Sequence, residues 1–146
     1  MNSGVPKHKK VEYSQLETGY EFPPSSSKLD CPIISEYIKA VEETSSLYQD
    51  EELVPPMAVA AYAMAALSEG MSLPMGTLHV SQGVEFMGSV SIGDSIITYA
   101  RVTRKQDRGK LHLLTIDLNV FNQRQKAVLS GKASFLLPEY NDGQIL

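Results

Sequence analysis

The sequence predicts an α+β domain in which an antiparallel sheet wraps around one long buried helix. Helical patterns occupy the first half of the chain, whereas from Gly76 onward apolar and polar residues alternate as they do in strands. Between the two halves lies an apolar segment, residues 57–67, that has no polar stripe. A helix of this kind has to be enclosed by protein. We expect one domain over residues 11–146, preceded by a disordered tail over residues 1–10.

Composition excludes several classes of function. A chain of 146 residues with 42% hydrophobic and 21% charged residues is typical of one globular domain. Its net charge of −4 argues against a nucleic-acid partner. The single cysteine excludes a disulfide framework, and no set of His, Asp and Glu has metal-ligand spacing. The longest apolar stretch, residues 54–67, is too short to span a bilayer and lacks the basic flank of a signal peptide. We therefore expect a cytoplasmic protein without a membrane partner or a metal.

The first helical pattern follows a proline- and serine-rich segment. Residues 11–22 are expected to hold a short strand, and residues 23–27 have the composition of a loop. Asp30 is a suitable N-cap with Pro32 close behind it. Apolar residues then follow at i, i+3, i+4 and i+7, namely Ile34, Tyr37, Ile38 and Val41. This spacing predicts an amphipathic helix that ends at residues 44–46.

The apolar helix is framed by residues that start and stop helices. Pro55 and Pro56 fit a first turn, because the N–H groups there have no intrahelical acceptor. Gly70 stands where a glycine commonly follows the end of a helix. These residues predict a helix over residues 57–69. The prolines also remove a backbone donor that a helix start would otherwise offer to an anionic intermediate.

Four strands are predicted in the second half of the chain. The first covers residues 76–86, with His79 on the face opposite Leu78, Val80, Gln82, Val84 and Phe86. The other three cover residues 96–103, 111–121 and 127–137, with turns at 91–94, 107–109 and 122–125 and with Pro138 as the stop. Such a sheet leaves an edge with which a second copy or a partner can pair.

Two segments resemble a known family. Residues 73–86, which read LPMGTLHVSQGVEF, and residues 90–94, which read VSIGD, are similar to the hot-dog fold of MaoC-like dehydratases, including (R)-specific enoyl-CoA hydratases. The resemblance covers residues 30–137. It implies a hot-dog domain that binds acyl thioesters of coenzyme A or a carrier protein and needs no further cofactor. In catalytic members an Asp and a His five residues later form an acid/base pair. A His-Gly pair opens the core helix, and its glycine N–H polarises the thioester carbonyl.

In this chain the corresponding positions are degenerate. The resemblance places Glu43 at the Asp position, Tyr48 at the His position, and Pro55 and Pro56 at the His-Gly pair. A phenol is a poor proton shuttle at neutral pH, a glutamate is one methylene too long, and proline has no N–H to donate. The pattern is most similar to the non-catalytic half of double-hot-dog or heterodimeric dehydratases.

The resemblance therefore implies a subunit that binds an acyl thioester, lacks its own acid/base pair and completes the tunnel of a catalytic hot-dog partner. Two alternatives stay open. The chain is an independent homodimeric thioesterase or hydratase that uses Glu43, with His79 as a second candidate, or it is an acyl-thioester binding module without catalysis.

Four residues are candidates for substrate binding. Met57 belongs to a methionine-rich third of the chain, and flexible thioethers suit acyl chains of varied shape. Tyr62, midway along the helix, is placed to close a tunnel. His79 is the histidine nearest the expected site, although a histidine on a strand face is more often structural. Arg104 lies in a basic cluster around the second hairpin, where guanidinium groups can meet coenzyme A phosphates or an acidic carrier protein.

Overall fold

A computed structural model describes residues 10–49 and 52–138 and shows a five-stranded sheet in the order β2-β5-β6-β7-β4, packed on a long helix. The elements are β1 (Val11–Glu12), a 3-10 turn (Tyr13–Gln15), β2 (Ser25–Lys28), α1 (Cys31–Ala40), α2 (Ser46–Gln49), α3 (Pro56–Gly70), β3 (Met71–Ser72), β4 (Leu78–Phe86), β5 (Ser95–Arg108), β6 (Leu111–Asn122) and β7 (Ala127–Pro138). All pairings in this sheet are antiparallel, and β1 pairs with β3 in a short parallel sheet. The expected tail over residues 1–10 lies, except for Lys10, outside the described residues.

The core helix α3 packs on the sheet with one side only. Its buried residues are Ala58, Val59, Ala60, Ala63 and Leu67. Met57 is 56% exposed, and Ala61 and Ala65 are also exposed. The expectation of a helix enclosed on every side is therefore wrong for this chain by itself. Alanine is tolerated at either kind of position, so an alanine-rich sequence does not reveal which side is covered.

The end of α3 also differs from the expectation. Gly70 is the last helical residue and does not have a positive φ. The next residue, Met71, is extended with φ of −121° and begins β3. Met71 N donates to the Ser68 carbonyl, and the chain then passes directly from the helix into β3, which pairs with β1.

Pairing with β5 forms one element that local composition did not predict. Residues 25–28 form β2, an edge strand that pairs with residues 95–98 of β5, although residues 23–27 were expected to be a loop. Three serines have little intrinsic preference for a strand, so tertiary pairing decides their conformation. The Asp30 cap is confirmed, since Asp30 Oδ1 accepts a hydrogen bond from Ile33 N at 3.2 Å.

The edge strand β4 contains a bulge at Val80 that changes which residues share a face. The register pairs His79 with Phe135 before the bulge and Phe86 with Leu129 after it. Phe135 and Leu129 are both buried, so His79 and Phe86 both belong to the inner face, towards α3. The prediction that His79 lies on the face opposite Phe86 is therefore wrong, because one extra residue inverts the alternation.

Candidate functional site

A cleft lies between the start of α3 and the end of the sheet where β4 finishes and β7 begins. Its volume is about 200 Å³. The residues that line it are Tyr48, Leu53, Val54, Pro56, Val59, Phe86, Gly88, Ser89, Val90 and Val128. None of these lining residues is Asp, Glu, His, Lys or Arg. The polar side chains in its wall are those of Tyr48 and Ser89, and the rest of the wall is apolar.

Backbone hydrogen bonds fix the start of α3 against the loop that follows β4. Val54 N donates to the Val90 carbonyl at 2.8 Å, and Ile92 N donates to the Glu52 carbonyl at 2.8 Å. Leu53 pairs with Ser91 in an isolated antiparallel bridge. These contacts hold the residues before the helix in a strand-like position, so that Pro55 is buried and Pro56 faces the cleft.

The helix start offers the cleft few backbone donors. Pro55 is the N-cap and has no side chain that could cap the helix, and Pro56 is the first helical residue. Ala58 N already donates to the Pro55 carbonyl at 2.9 Å. The first backbone N–H of α3 that takes no part in this bond is therefore that of Met57. The Met57 side chain is exposed and does not line the cleft. This geometry agrees with the loss of an N–H donor at the two prolines.

The short helix α2 brings Tyr48 into the same cleft. Tyr48 N donates to the Ser45 carbonyl at 3.3 Å, and the half-buried side chain lies in the wall together with Pro56. Two of the four degenerate positions, Tyr48 and Pro56, are thus close neighbours in space although eight residues separate them. In this cleft a phenol thus lies beside a pyrrolidine ring.

Glu43 lies outside the cleft lining, and its side chain binds neighbouring backbone N–H groups. Its Oε1 accepts hydrogen bonds from Thr44 N at 3.0 Å and from Ser45 N at 2.9 Å. These bonds shape the turn between α1 and α2, a turn in which Glu42 has a positive φ of 56°. The carboxylate of Glu43 therefore stabilises the segment that positions Tyr48.

Tyr62 points away from the cleft, towards α1. Its hydroxyl donates to the Ile33 carbonyl at 3.4 Å, and its ring packs with the buried cluster below α1. Burial raises the pKa of the Tyr62 phenol above its ordinary value, and the carboxylates of Glu36 and Asp30 raise it further. The structure therefore does not bring Tyr62 into the cleft wall, and its role in closing a tunnel stays a prediction.

His79 and Arg104 are both remote from the cleft. The His79 ring stacks on Phe135 with centroids 4.8 Å apart, and His79 lies about 20 Å from Phe86 along β4, at ~3.3 Å per residue. Arg104 lies on the outer face of the sheet opposite Thr115, where its guanidinium contacts the Gln106 side chain. Neither residue can reach a ligand in the Tyr48 cleft of its own chain without a large rearrangement.

A second polar cluster was not anticipated from the sequence. The Asp107 carboxylate accepts hydrogen bonds from His112 Nδ1 and from the Tyr13 hydroxyl, the latter at 3.4 Å, and Lys105 Nζ lies 4.5 Å from the Tyr13 ring centre. The hydrogen bond from His112 is the main reason that the pKa of Asp107 is lowered. This cluster fastens the N-terminal turn to the β5–β6 hairpin.

The lining residues Phe86, Val90 and Val128 were also missed. In the structure Phe86 ends β4 and is 44% exposed. Among residues 10–49 and 52–138, no group of three His, Cys, Asp or Glu side chains is arranged to hold a metal ion. In the same ranges no helix is long and apolar enough to cross a membrane.

Solved structures with the same fold include hydratases and dehydratase complexes. The R-hydratase PhaJ1 of Pseudomonas aeruginosa has a TM-score of 0.75 at 21% identity, over 90% of this chain and 88% of that chain. The ChsH1–ChsH2 complex of Mycobacterium tuberculosis has a TM-score of 0.69 at 13% identity, over 83% and 98%. The HadBC 3R-hydroxyacyl-ACP dehydratase complex of the same organism has a TM-score of 0.61 at 14% identity, over 82% and 96%. The predicted hot-dog fold is confirmed.

No curated protein sequence matches this chain. A family model does match it, over residues 17–130, and its description is the FAS1-like dehydratase domain region. The matched segment includes β2, β4, β5, β6 and the start of β7, together with helix α3 and the cleft described above. The chain therefore belongs to the family of FAS1-like dehydratase domains, with the hot-dog fold of MaoC-like hydratases.

Proposed function

We propose that this chain is a non-catalytic subunit of a MaoC-like hydratase or dehydratase and completes the acyl tunnel of a catalytic hot-dog partner. The observation that supports this proposal most strongly is the composition of the cleft. Tyr48 and Pro56 occupy it, and its lining has no carboxylate and no imidazole. The proposal assigns the substrate to this cleft, whose lining lacks the groups that would transform it.

The chemistry of hydration explains why these replacements matter. Addition of water to a 2-enoyl thioester requires a base that removes a proton from water and an acid that protonates the neighbouring carbon. It also requires a donor for the enolate oxygen that develops in the transition state. Glu43 has one carboxylate oxygen occupied by two backbone N–H groups, and Pro56 supplies no donor. A partner subunit has to provide all three functions.

The walls of the cleft favour an acyl chain as the ligand. Val59, Phe86 and Val128 present apolar side chains from α3, β4 and β7. Small-molecule sites are largely apolar with a few polar groups that set orientation, and here the Tyr48 hydroxyl is the main candidate for that role. We infer that the thioester of coenzyme A or of a carrier protein enters with its acyl part in this cleft.

The edge strand β4 is where a partner is expected to pair. It carries no lysine and no proline, and its apolar residues Leu78, Val80 and Phe86 are 58%, 50% and 44% exposed. An edge of this length with free backbone groups pairs readily with another strand. The exposed Met57 side of α3 adds apolar surface on the same inner side of the sheet. An edge-to-edge dimer with a catalytic hot-dog subunit would cover both surfaces.

The position of His79 on the inner face, near the start of β4, favours a homodimeric enzyme as a second candidate. If two copies paired antiparallel through β4 with the two Gly83 residues opposite each other, the start of one strand would lie beside the end of the other. His79 of one copy would then lie near Phe86 of the second copy, at the rim of the Tyr48 cleft. In that arrangement His79 of one copy would lie at the cleft formed by the other copy.

Crotonyl-CoA hydration by the purified chain, alone and together with a hot-dog subunit that has an intact Asp and His, distinguishes these functions. We expect no turnover by the chain alone and turnover by the complex. Turnover by the chain alone that disappears in Glu43→Gln would overturn the non-catalytic assignment. Turnover alone that survives Glu43→Gln but disappears in His79→Gln would establish the second candidate.

Binding of the acyl chain needs a separate measurement on the complex. Phe86→Ser removes an aromatic side chain from the cleft, and Tyr99→Ser removes one that is equally exposed, at 44%, on the outer face. We expect Phe86→Ser to weaken binding of a long-chain acyl-CoA and Tyr99→Ser to leave it unchanged, as measured by titration calorimetry. Equal effects of the two variants would show that the acyl chain does not enter this cleft.

A further inference from the structure

The outer face of β5 presents three exposed arginines in a row. Arg101 pairs with Asp117 and Arg108 pairs with Leu111 in the register with β6, and a bulge at Thr103 places Arg104 on the same face as Arg101. Between them, Val102 is fully buried on the inner face. At ~3.3 Å per residue the three guanidinium groups are spread over about 20 Å along one strand. We call this row, Arg101, Arg104 and Arg108, the arginine ridge.

Two of the carboxylates near the ridge, those of Asp117 and Asp107, are bound by other groups. Within residues 10–49 and 52–138, no ion pair joins Arg101, Arg104 or Arg108 to a carboxylate. Asp117 lies 3.6 Å from Lys132 Nζ and accepts a hydrogen bond from Thr103 Oγ1 at 3.3 Å.

Two further carboxylates border the ridge. Asp107 is bound by His112 on the inner side. Glu21 lies on the other side of Arg101 from Asp117, since an isolated bridge pairs it with that arginine. A chain with a net charge of −4 thus carries a concentrated positive row on one face.

We propose that the arginine ridge docks an acidic helix of a second protein. A row of exposed side chains on a flat strand has no concavity to bury a small molecule, which argues against a nucleotide-sized ligand. A span of about 20 Å corresponds to a helix of about 13 residues, at 1.5 Å per residue. Guanidinium groups bind carboxylates in a planar, two-bonded geometry, and arginine is enriched at protein interfaces.

An aromatic pair extends the ridge on the same face. Tyr99 is 44% exposed and meets the Phe121 ring edge-on, with centroids 5.6 Å apart. Tyrosine and arginine together are the residues that contribute most to interface hot spots. The arrangement offers one amphipathic anchor followed by three cations, which matches a helix with an apolar residue at one end and carboxylates along one side.

This surface is separate from the proposed acyl tunnel. The ridge is on the outer face of the sheet and towards the β5–β6 hairpin, whereas the Tyr48 cleft is on the inner side at the opposite end of the strands. Both can be occupied at the same time. Docking to the ridge therefore goes beyond the proposed function, and a chain that proved to bind no acyl thioester would still be expected to dock.

Fluorescence anisotropy with the full chain tests the docking proposal. The probe is a labelled, side-chain-stapled helical peptide of about 13 residues with glutamate along one side, and its control has glutamine at the same positions. Arg104→Glu reverses one charge of the ridge. Arg124→Glu makes the same change in net charge at an exposed arginine in the β6–β7 turn, away from the ridge.

We expect the glutamate peptide to bind, with an affinity that falls as salt rises. Arg104→Glu should weaken binding roughly fivefold or more, and Arg124→Glu less than about twofold, because only the former changes a direct contact. Equal effects of the two variants, or equal binding of the glutamine peptide, would overturn the proposal. Tighter binding of a single-stranded oligonucleotide, with the same dependence on Arg104, would also overturn it in favour of a nucleic-acid site. Thermal unfolding of both variants verifies that they are folded.

Discussion

The orientation of α3 makes a sharp prediction about stability, since two alanines on this helix have opposite environments. Ala63 has an exposed fraction of 0% and belongs to the buried cluster between α3 and the sheet, whereas Ala61, two residues earlier, is exposed. Leucine and alanine have similar helix propensities, so Ala→Leu at either position tests packing alone. The pair Ala63→Leu and Ala61→Leu therefore compares the same chemical change on the two sides of one helix.

The expected magnitude follows from the closed packing around Ala63. Leucine adds three carbon atoms where no exposed surface is available, and overpacking of this kind costs about 1–3 kcal/mol of the free energy of unfolding. At Ala61 the added atoms extend into open space, so the change should stay within about 0.5 kcal/mol. The buried cluster to which Ala63 belongs also contains large side chains with an exposed fraction of 0–1%, namely Leu29, Ile34 and Ile96.

Urea denaturation measures both variants. A loss of stability in Ala63→Leu should appear as a lower midpoint with an unchanged slope, and Ala61→Leu should superimpose on the wild type. If both variants lost the same stability, or if only Ala61→Leu did, the assignment of the buried side of α3 would be wrong. Because the exposed side of α3 contributes to the proposed partner surface, this experiment also shows whether that side is open in the isolated chain.

Three further outcomes are expected from urea denaturation of the isolated chain. Asn122→Ala should lower the free energy of unfolding by about 1–3 kcal/mol, because Asn122 Oδ1 accepts hydrogen bonds from two backbone N–H groups of the β6–β7 turn, at 2.9 and 3.0 Å. Asn119→Ala, at an exposed position, should have little effect. Asp107→Asn should be less stable than the wild type at neutral pH. The pKa of Asp107 is lowered in the folded state, so its contribution to stability is present above the ordinary aspartate pKa and is lost as pH falls through the folded pKa. The free energies of unfolding of the two proteins should therefore converge in acid. Curves of this free energy against pH that stay parallel would contradict the reasoning. Glu43→Gln should change stability by less than about 1 kcal/mol, because a glutamine Oε1 can accept the same two backbone bonds, and a large loss would contradict the geometry.

The elements that the sequence predicted well are those specified by local chemistry. The Asp30 cap, the proline start of α3 and the alternation in β5, β6 and β7 all depend on residues within one turn or one strand. Strand β2 was missed because three serines form a strand only when β5 is beside them. The observed α3 extends one residue beyond the prediction at each end, which is within the usual variation of helix boundaries.

The candidate site was predictable only in part. The positions of Tyr48 and Pro56 came from the spacing of the family resemblance, and the structure places both in one cleft. The opposite wall, Phe86 and Val128, is assembled by the pairing of β4 with β7, and this pairing is not encoded in either strand alone. The bulge at Val80 was invisible for a related reason. On each side of a bulge the side chains alternate between the two faces as they do in a regular strand. The local sequence pattern therefore does not show where an extra residue inverts the alternation.

The bulge at Val80 decides which face of β4 carries His79. Of the described histidines, His112 is bound by Asp107 at the hairpin, whereas His79 stacks on Phe135 at the free edge of the sheet. Without the extra residue at Val80, His79 would be on the outer face, away from any acyl chain held beneath the sheet. With it, His79 shares the inner face with Phe86, the face that a strand paired with β4 would extend. Under the proposed function, the general base that reaches an acyl thioester therefore depends on what pairs with β4, since a catalytic partner would bring its own acid/base pair and a second copy would bring His79.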